Sequence, residues 1–120
     1  MPHSGSLYSG LPDGLQPTEM IETLAKGRGL HIERIVSTGQ TTPQGEWQDQ
    51  GRSEWVAVLR GSARLLIEGE AKERCLAAGD WLLLPAHCRH RVTWTSELEP
   101  TVWLAAHFSK PGNDEGDGKA

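Results

Sequence analysis

Apolar residues recur along the chain in short runs, most of them alternating with polar residues and most closed by glycine or proline. Residues 30–40 set Leu30 and Ile32 against His31 and Glu33, a strand-like alternation rich in Ile and Val. A loop over 41–47 with Pro43 and Gly45 leads to a short strand over 47–50, and a turn at Gly51-Arg52-Ser53 follows. The strand over 54–60 then puts Glu54, Val56 and Val58 on one face and Trp55, Ala57 and Leu59 on the other. Strands are predicted over 63–68 and, after a Gly69-Glu70 hairpin turn, over 71–76. Residues 81–84 are continuously apolar and stopped by Pro85, which marks a buried strand. Over 89–95, Arg91 and Thr93 alternate with His90, Val92 and Trp94, and a last strand covers 101–109. Seven or eight short strands separated by glycine turns predict an all-β sandwich or barrel.

The two ends depart from this period. Residues 1–17 form an irregular arm with scattered Leu7, Tyr8, Leu11 and Leu15. Thr18 is placed to cap a helix, with Glu19 and Glu22 near its positive end. Met20, Ile21, Leu24 and Ala25 give a helical stripe ended by Gly27 and Gly29, so a short N-terminal helix of about two turns is expected. Residues 110–120 hold no apolar side chain before Ala120, and a disordered tail is expected there. Residues 18–109 make one domain.

Composition narrows the function. A formal charge of −4 with interspersed signs offers no basic stripe, which argues against nucleic acid as a partner. No segment is long and apolar enough for a membrane span, and no leader precedes the arm, so a cytoplasmic protein is expected. Cys75 and Cys88 then read as reduced thiols. Five Trp against one Phe and one Tyr point to a partly wet pocket or an interface. The outer face with Trp55, Ala57 and Leu59, joined by Leu66, is the expected homodimer interface.

The densest chemistry lies in 79–92, G-D-W-L-L-L-P-A-H-C-R-H-R-V, where His87, Cys88 and His90 follow the proline. Gly79, Pro85 and His90 keep the spacing of a G-x5-P-x-G-x2-H-x3-N motif, with His87 at its second Gly and Trp94 at its Asn. Upstream, Glu54 lies seven residues before Gly61, as at the end of a G-x5-H-x-H-x3-4-E-x6-G motif, whose paired histidines fall on Gln48 and Gln50. The stretch from Gly39 to Phe108 thereby resembles the cupins. The resemblance implies a cupin-type jelly-roll β-barrel, single rather than duplicated.

It also implies a site. Glu54 and His90 stand in metal-ligand slots, Gln48 and Gln50 would offer amide oxygens, and His87 is a reserve ligand. A divalent ion (Zn, Fe, Mn or Ni) is the implied cofactor. Amide oxygens are weak donors for such metals, so the alternative is a pocket without metal in which Glu54 and His90 hydrogen-bond to each other. Gln48 and Glu54 can meet only if the chain reverses at 51–53, since a straight strand would hold them about 20 Å apart. Trp47, Trp94, Val56 and Val92 are expected to wall a small-molecule pocket. His107, in phase with Trp103 and Ala105, is either a structural histidine or a further pocket donor. The function classes are then an oxygenase, isomerase or lyase, or a non-catalytic ligand-binding or structural cupin. No catalytic residue is assigned and no substrate is named by the sequence.

Overall fold

The computed structural model describes residues 1–109, so the expected tail lies outside the described residues. Among the described residues there are eight strands: β1 (Met20–Gly27), β2 (Leu30–Ser37), β3 (Ser53–Arg60), β4 (Ser62–Ile67), β5 (Arg74–Ala77), β6 (Trp81–Leu84), β7 (His90–Thr95) and β8 (Thr101–Phe108). A five-stranded sheet in the order β1-β2-β8-β3-β6 faces a three-stranded sheet in the order β5-β4-β7, and every pairing is antiparallel. This is a jelly roll. Val56 and Val58 of β3, Leu65 of β4, Leu84 of β6 and Trp103 of β8 fill the space between the sheets. They are the inward residues of strands that the alternation separates from their outward neighbours.

Three sequence expectations change. The short N-terminal helix is absent, and its residues form β1, paired with β2 along its length. A register shift between Thr23 and Ala25 breaks the two-residue period, and that bulge is why Met20, Ile21, Leu24 and Ala25 imitate helical spacing. Gly29, with φ of 69°, belongs to the turn between β1 and β2 instead of a helix end. Second, the expected strand over 47–50 contributes only one bridge, Gln48 to His90. Third, β3 pairs with β8 and β6, while Leu66 lies on β4 in the other sheet and cannot extend the Trp55 face.

That outer face is partly covered by the arm. Arg34 Nη1 donates to the carbonyls of Leu7 at 3.1 Å and Ser9 at 2.7 Å, and the Tyr8 hydroxyl donates to the Leu59 carbonyl at 3.4 Å. Beyond the arm, Trp55 stacks on Trp81 with ring centroids 6.1 Å apart, and Trp81 and Leu83 remain exposed. Ile32, Ala106, Trp55 and Leu83 share one cross-strand row without a charged side chain.

Two tests follow from the fold. We propose a second copy as the cover of this patch: a twofold contact places the surface on itself, and an uncharged row meets its own image without repulsion. Sedimentation at micromolar concentration is expected to show a dimer that Trp81→Glu converts to monomer, and a monomeric wild type would refute it. Gly61 links β3 to β4 at φ of 86°, and a Cβ there would lie 2.6 Å from Thr101 Oγ1 and 2.8 Å from the Pro100 carbonyl. Gly61→Ala is expected to cost about 2 kcal/mol and to lower the melting temperature by about 8 °C in a thermal denaturation.

Candidate functional site

The cavity between the sheets, about 210 Å³, is built on one cross-strand row of the larger sheet. His31 of β2 pairs with His107 of β8, His107 with Glu54 of β3, and Glu54 with Leu84 of β6. Directly paired residues share a face, so this row brings a carboxylate and two imidazoles inward together. Glu33, two residues along β2 from His31, points the same way. The 48–50 segment closes the opposite wall through reciprocal backbone hydrogen bonds between Gln48 and His90, 2.7 and 3.1 Å. The His87 N–H donates to the Gln50 carbonyl at 2.7 Å. The chain therefore does turn before β3, and Gln48, Gln50 and Glu54 line one cavity.

Glu54 is 8 % exposed and makes no hydrogen bond to a side chain among the described residues. Its Oε1 lies 3.8 Å from His90 Nε2 and its Oε2 lies 4.0 Å from His107 Nε2, both beyond hydrogen-bond reach. The direct Glu54–His90 bond expected for a metal-free pocket is therefore not formed. His90 Nδ1 is 2.8 Å from the Cys88 carbonyl. A carbonyl only accepts, so Nδ1 carries a proton and the ring turns Nε2 toward Glu54. His107 Nε2 donates to Glu33 Oε1 at 3.0 Å, and its Nδ1 is buried without a partner. Burial raises the Glu54 pKa, against a smaller opposing attraction from His107 and then His90.

Val56, Val92 and His107 line the cavity as expected. His87, Trp47 and Trp94 do not. His87 takes a left-handed φ of 63° at the motif's glycine position, and its Nδ1 bonds Asp49 Oδ1 at 2.9 Å on the surface. Trp47 is half-buried with the Arg89 guanidinium 5.7 Å from its ring centroid. Trp94 was expected inside by alternation with His90 and Val92. A register shift leaves Thr93 unpaired between Leu65↔Val92 and Arg64↔Trp94, so Trp94 turns outward beneath Arg64. Sequence reasoning missed the polar Glu33 and Glu19 and the apolar Ile21, Ile35, Leu65, Leu84 and Trp103. The alternation of 30–33 already put Glu33 on one face with His31, and only the pairing with β8 reveals that this face is the inner one.

Residues 34–107 match the family model for the cupin domain, and the chain belongs to the cupin family. It is similar to a Ralstonia eutropha JMP134 protein provisionally named a mannose-6-phosphate isomerase, at 48% identity and a TM-score of 0.87, over 90% of this chain and 99% of that one. A Desulfitobacterium hafniense DCB-2 cupin superfamily protein shares 15% identity at a TM-score of 0.66, over 82% of this chain and 84% of that one. A Streptococcus pyogenes protein of unknown function shares 19% at 0.70, over 92% of each chain. These last two carry the fold alone. No curated protein matches the chain. Among the described residues no helix is long and apolar enough to cross a membrane.

The donor set does not fit the divalent ion that the family implies. Among the described residues no three His, Cys, Asp or Glu side chains converge as a metal-holding group. Two of the four motif positions carry carboxamides, weak donors for borderline metals. His87 is turned away, and His107 Nε2 is already committed to Glu33.

The raised Glu54 predicts a pH dependence. A carboxyl group that holds its proton more tightly when folded contributes stability that is full below its ordinary value of 4.5. That contribution is lost as pH rises through the raised value. Glu54→Gln cannot ionise, so it is expected to remove this part of the decline and melt about 4 °C higher at about pH 8. Parallel melting curves for wild type and variant from about pH 5 to pH 8 would show that Glu54 carries no such cost.

Proposed function

We propose that this cupin binds a small polar molecule in the barrel cavity and moves a proton on it, with Glu54 as the acid–base group. The observation that supports this is the Glu54 carboxylate itself, buried, bonded to no side-chain donor, and facing a cavity between two imidazoles. A carboxyl group raised by burial moves toward the range where one group both takes and returns a proton. The fitting reaction class is isomerisation beside a carbonyl. Glu54 removes a proton from the carbon next to the carbonyl, the C–H electron pair shifts toward the carbonyl oxygen, and the proton returns at the neighbouring carbon. His90 Nε2 is available to accept and return a hydroxyl proton of the ligand, and His107, tied to Glu33, is a positioning residue beside Glu54.

The provisional name of the Ralstonia eutropha protein describes an isomerisation and agrees with that class. Its phosphorylated sugar transfers poorly, because among the described residues neither Lys nor Arg lines this cavity. A second reading, binding without turnover, is favoured by the carboxamides of Gln48 and Gln50 at the paired-histidine positions.

Deuterium incorporation from heavy water into small hydroxy- and amino-carbonyl compounds, mannose and mannosamine among them, separates the readings. Glu54→Gln is expected to slow exchange by about 10²–10⁴-fold while the protein stays folded. Exchange that survives the substitution removes Glu54 from the chemistry. Ligand binding without exchange selects the second reading.

A further inference from the structure

The cavity is lined by carboxylates and, among the described residues, by no Lys or Arg. Glu54 offers two oxygens, and Glu19 and Glu33 add carboxylates at its edge. The side chain of His90 is 5 % exposed, yet its Nε2 faces the cavity with no hydrogen bond among the described residues. Gln48 gives one amide N–H to Thr42 Oγ1 at 3.3 Å, and the carboxamides of Gln48 and Gln50 add neutral groups to the wall. The inward donor of His107 is taken by Glu33. Among the described residues the one indole that lines the space, Trp103, gives its N–H to Ser37 Oγ at 3.1 Å.

His90 Nε2 and Glu54 Oε1 face each other along a 3.8 Å line, too far apart to bond directly and close enough for one hydrogen-bond donor to reach both. A nitrogen set off that line lies about 2.9 Å from both, the ordinary N–H···O and N–H···N distance. An ammonium group supplies several donors and the charge that a buried carboxylate lacks. A Trp ring in the wall adds attraction for a cation lying over its face. The size also fits: a cavity of about 150 Å³ holds a six-carbon ring, so about 210 Å³ with an open mouth takes a compact polar molecule.

We propose that the ligand carries a primary ammonium group held between Glu54 Oε1 and His90 Nε2, and that phosphorylated and other anionic compounds are rejected. This rests on the small-molecule pocket proposed above, and it leaves Glu54 Oε2, on the His107 side, free to face the reacting carbon. The reaction class and the ligand charge are separate claims.

Mannosamine, mannose and mannose 6-phosphate share a sugar skeleton and differ in charge, so they make the test, with ethanolammonium as a smaller cation. Binding is read by calorimetry and by the NMR shifts of the His90 and His107 ring protons. Mannosamine and ethanolammonium are expected to bind at least tenfold more tightly than mannose, and mannose 6-phosphate not at all. Glu54→Gln and His90→Phe are each expected to weaken the amines tenfold or more and to weaken mannose less, so that the preference for the amine falls. Equal affinity for mannose and mannosamine overturns the ammonium site and leaves the proton-transfer reading standing. Binding of mannose 6-phosphate in preference to the amines overturns the charge argument. Stabilisation by Zn²⁺ alone, lost in both variants, makes the site a metal centre instead. A pocket that answers to none of these probes overturns this proposal and the small-molecule reading together.

Discussion

A carboxylate on the inner face of a barrel strand is the constraint that the rest of the interior accommodates. Glu54 stands where Val56 and Val58 continue the same face into the core, so its charge is taken out of water along with them. An isolated buried carboxylate costs several kcal/mol or stays protonated. The barrel answers with proximity instead of direct bonds: two imidazoles at 3.8 and 4.0 Å, beside the carboxylate and too far to bond it. Glu33 then fixes His107, the Cys88 carbonyl fixes His90, and each ring is held without being used up on Glu54. The result is a site whose acceptor capacity is preorganised but open.

The strands were legible because glycine and proline punctuate the chain and the two-residue period is clean between them. Val56 and Val92 could be placed inward from sequence for that reason, as could Glu54. Two of the failures share one cause. A bulge between Thr23 and Ala25 turned a strand into an apparent helix, and a bulge at Thr93 sent Trp94 to the surface. Each inserts one residue, and one residue reverses every later side chain on a strand. Nothing local in either stretch announces the insertion, since it is set by the partner strand.

His87 was unreadable for a different reason. Its position in the motif belongs to glycine, and the left-handed backbone required there survives the substitution at φ of 63°. That conformation aims the ring at Asp49 on the surface, whatever its capacity as a ligand. Glu33 was the opposite case: its face was known but which side of the sheet it belonged to was not. The cross-strand row of His31, His107 and Glu54 decides it, and that row exists only through long-range pairing.

The carboxamides at Gln48 and Gln50 bear on how fold and chemistry separate in this family. Replacing two imidazoles by two amides removes the strongest metal donors from the motif and keeps groups that accept hydrogen bonds. The backbone of that segment is still pinned to His90 by two hydrogen bonds, so the wall keeps its place when its side chains change. Glu54 and His90 keep the relative positions of the motif while the demand for a cation between them persists. A proton meets it on Glu54, at the cost of the charge; a ligand's positive group meets it without that loss. Under the ammonium proposal, the ionisation of Glu54 and the occupancy of the pocket are coupled, and this coupling needs no moving part.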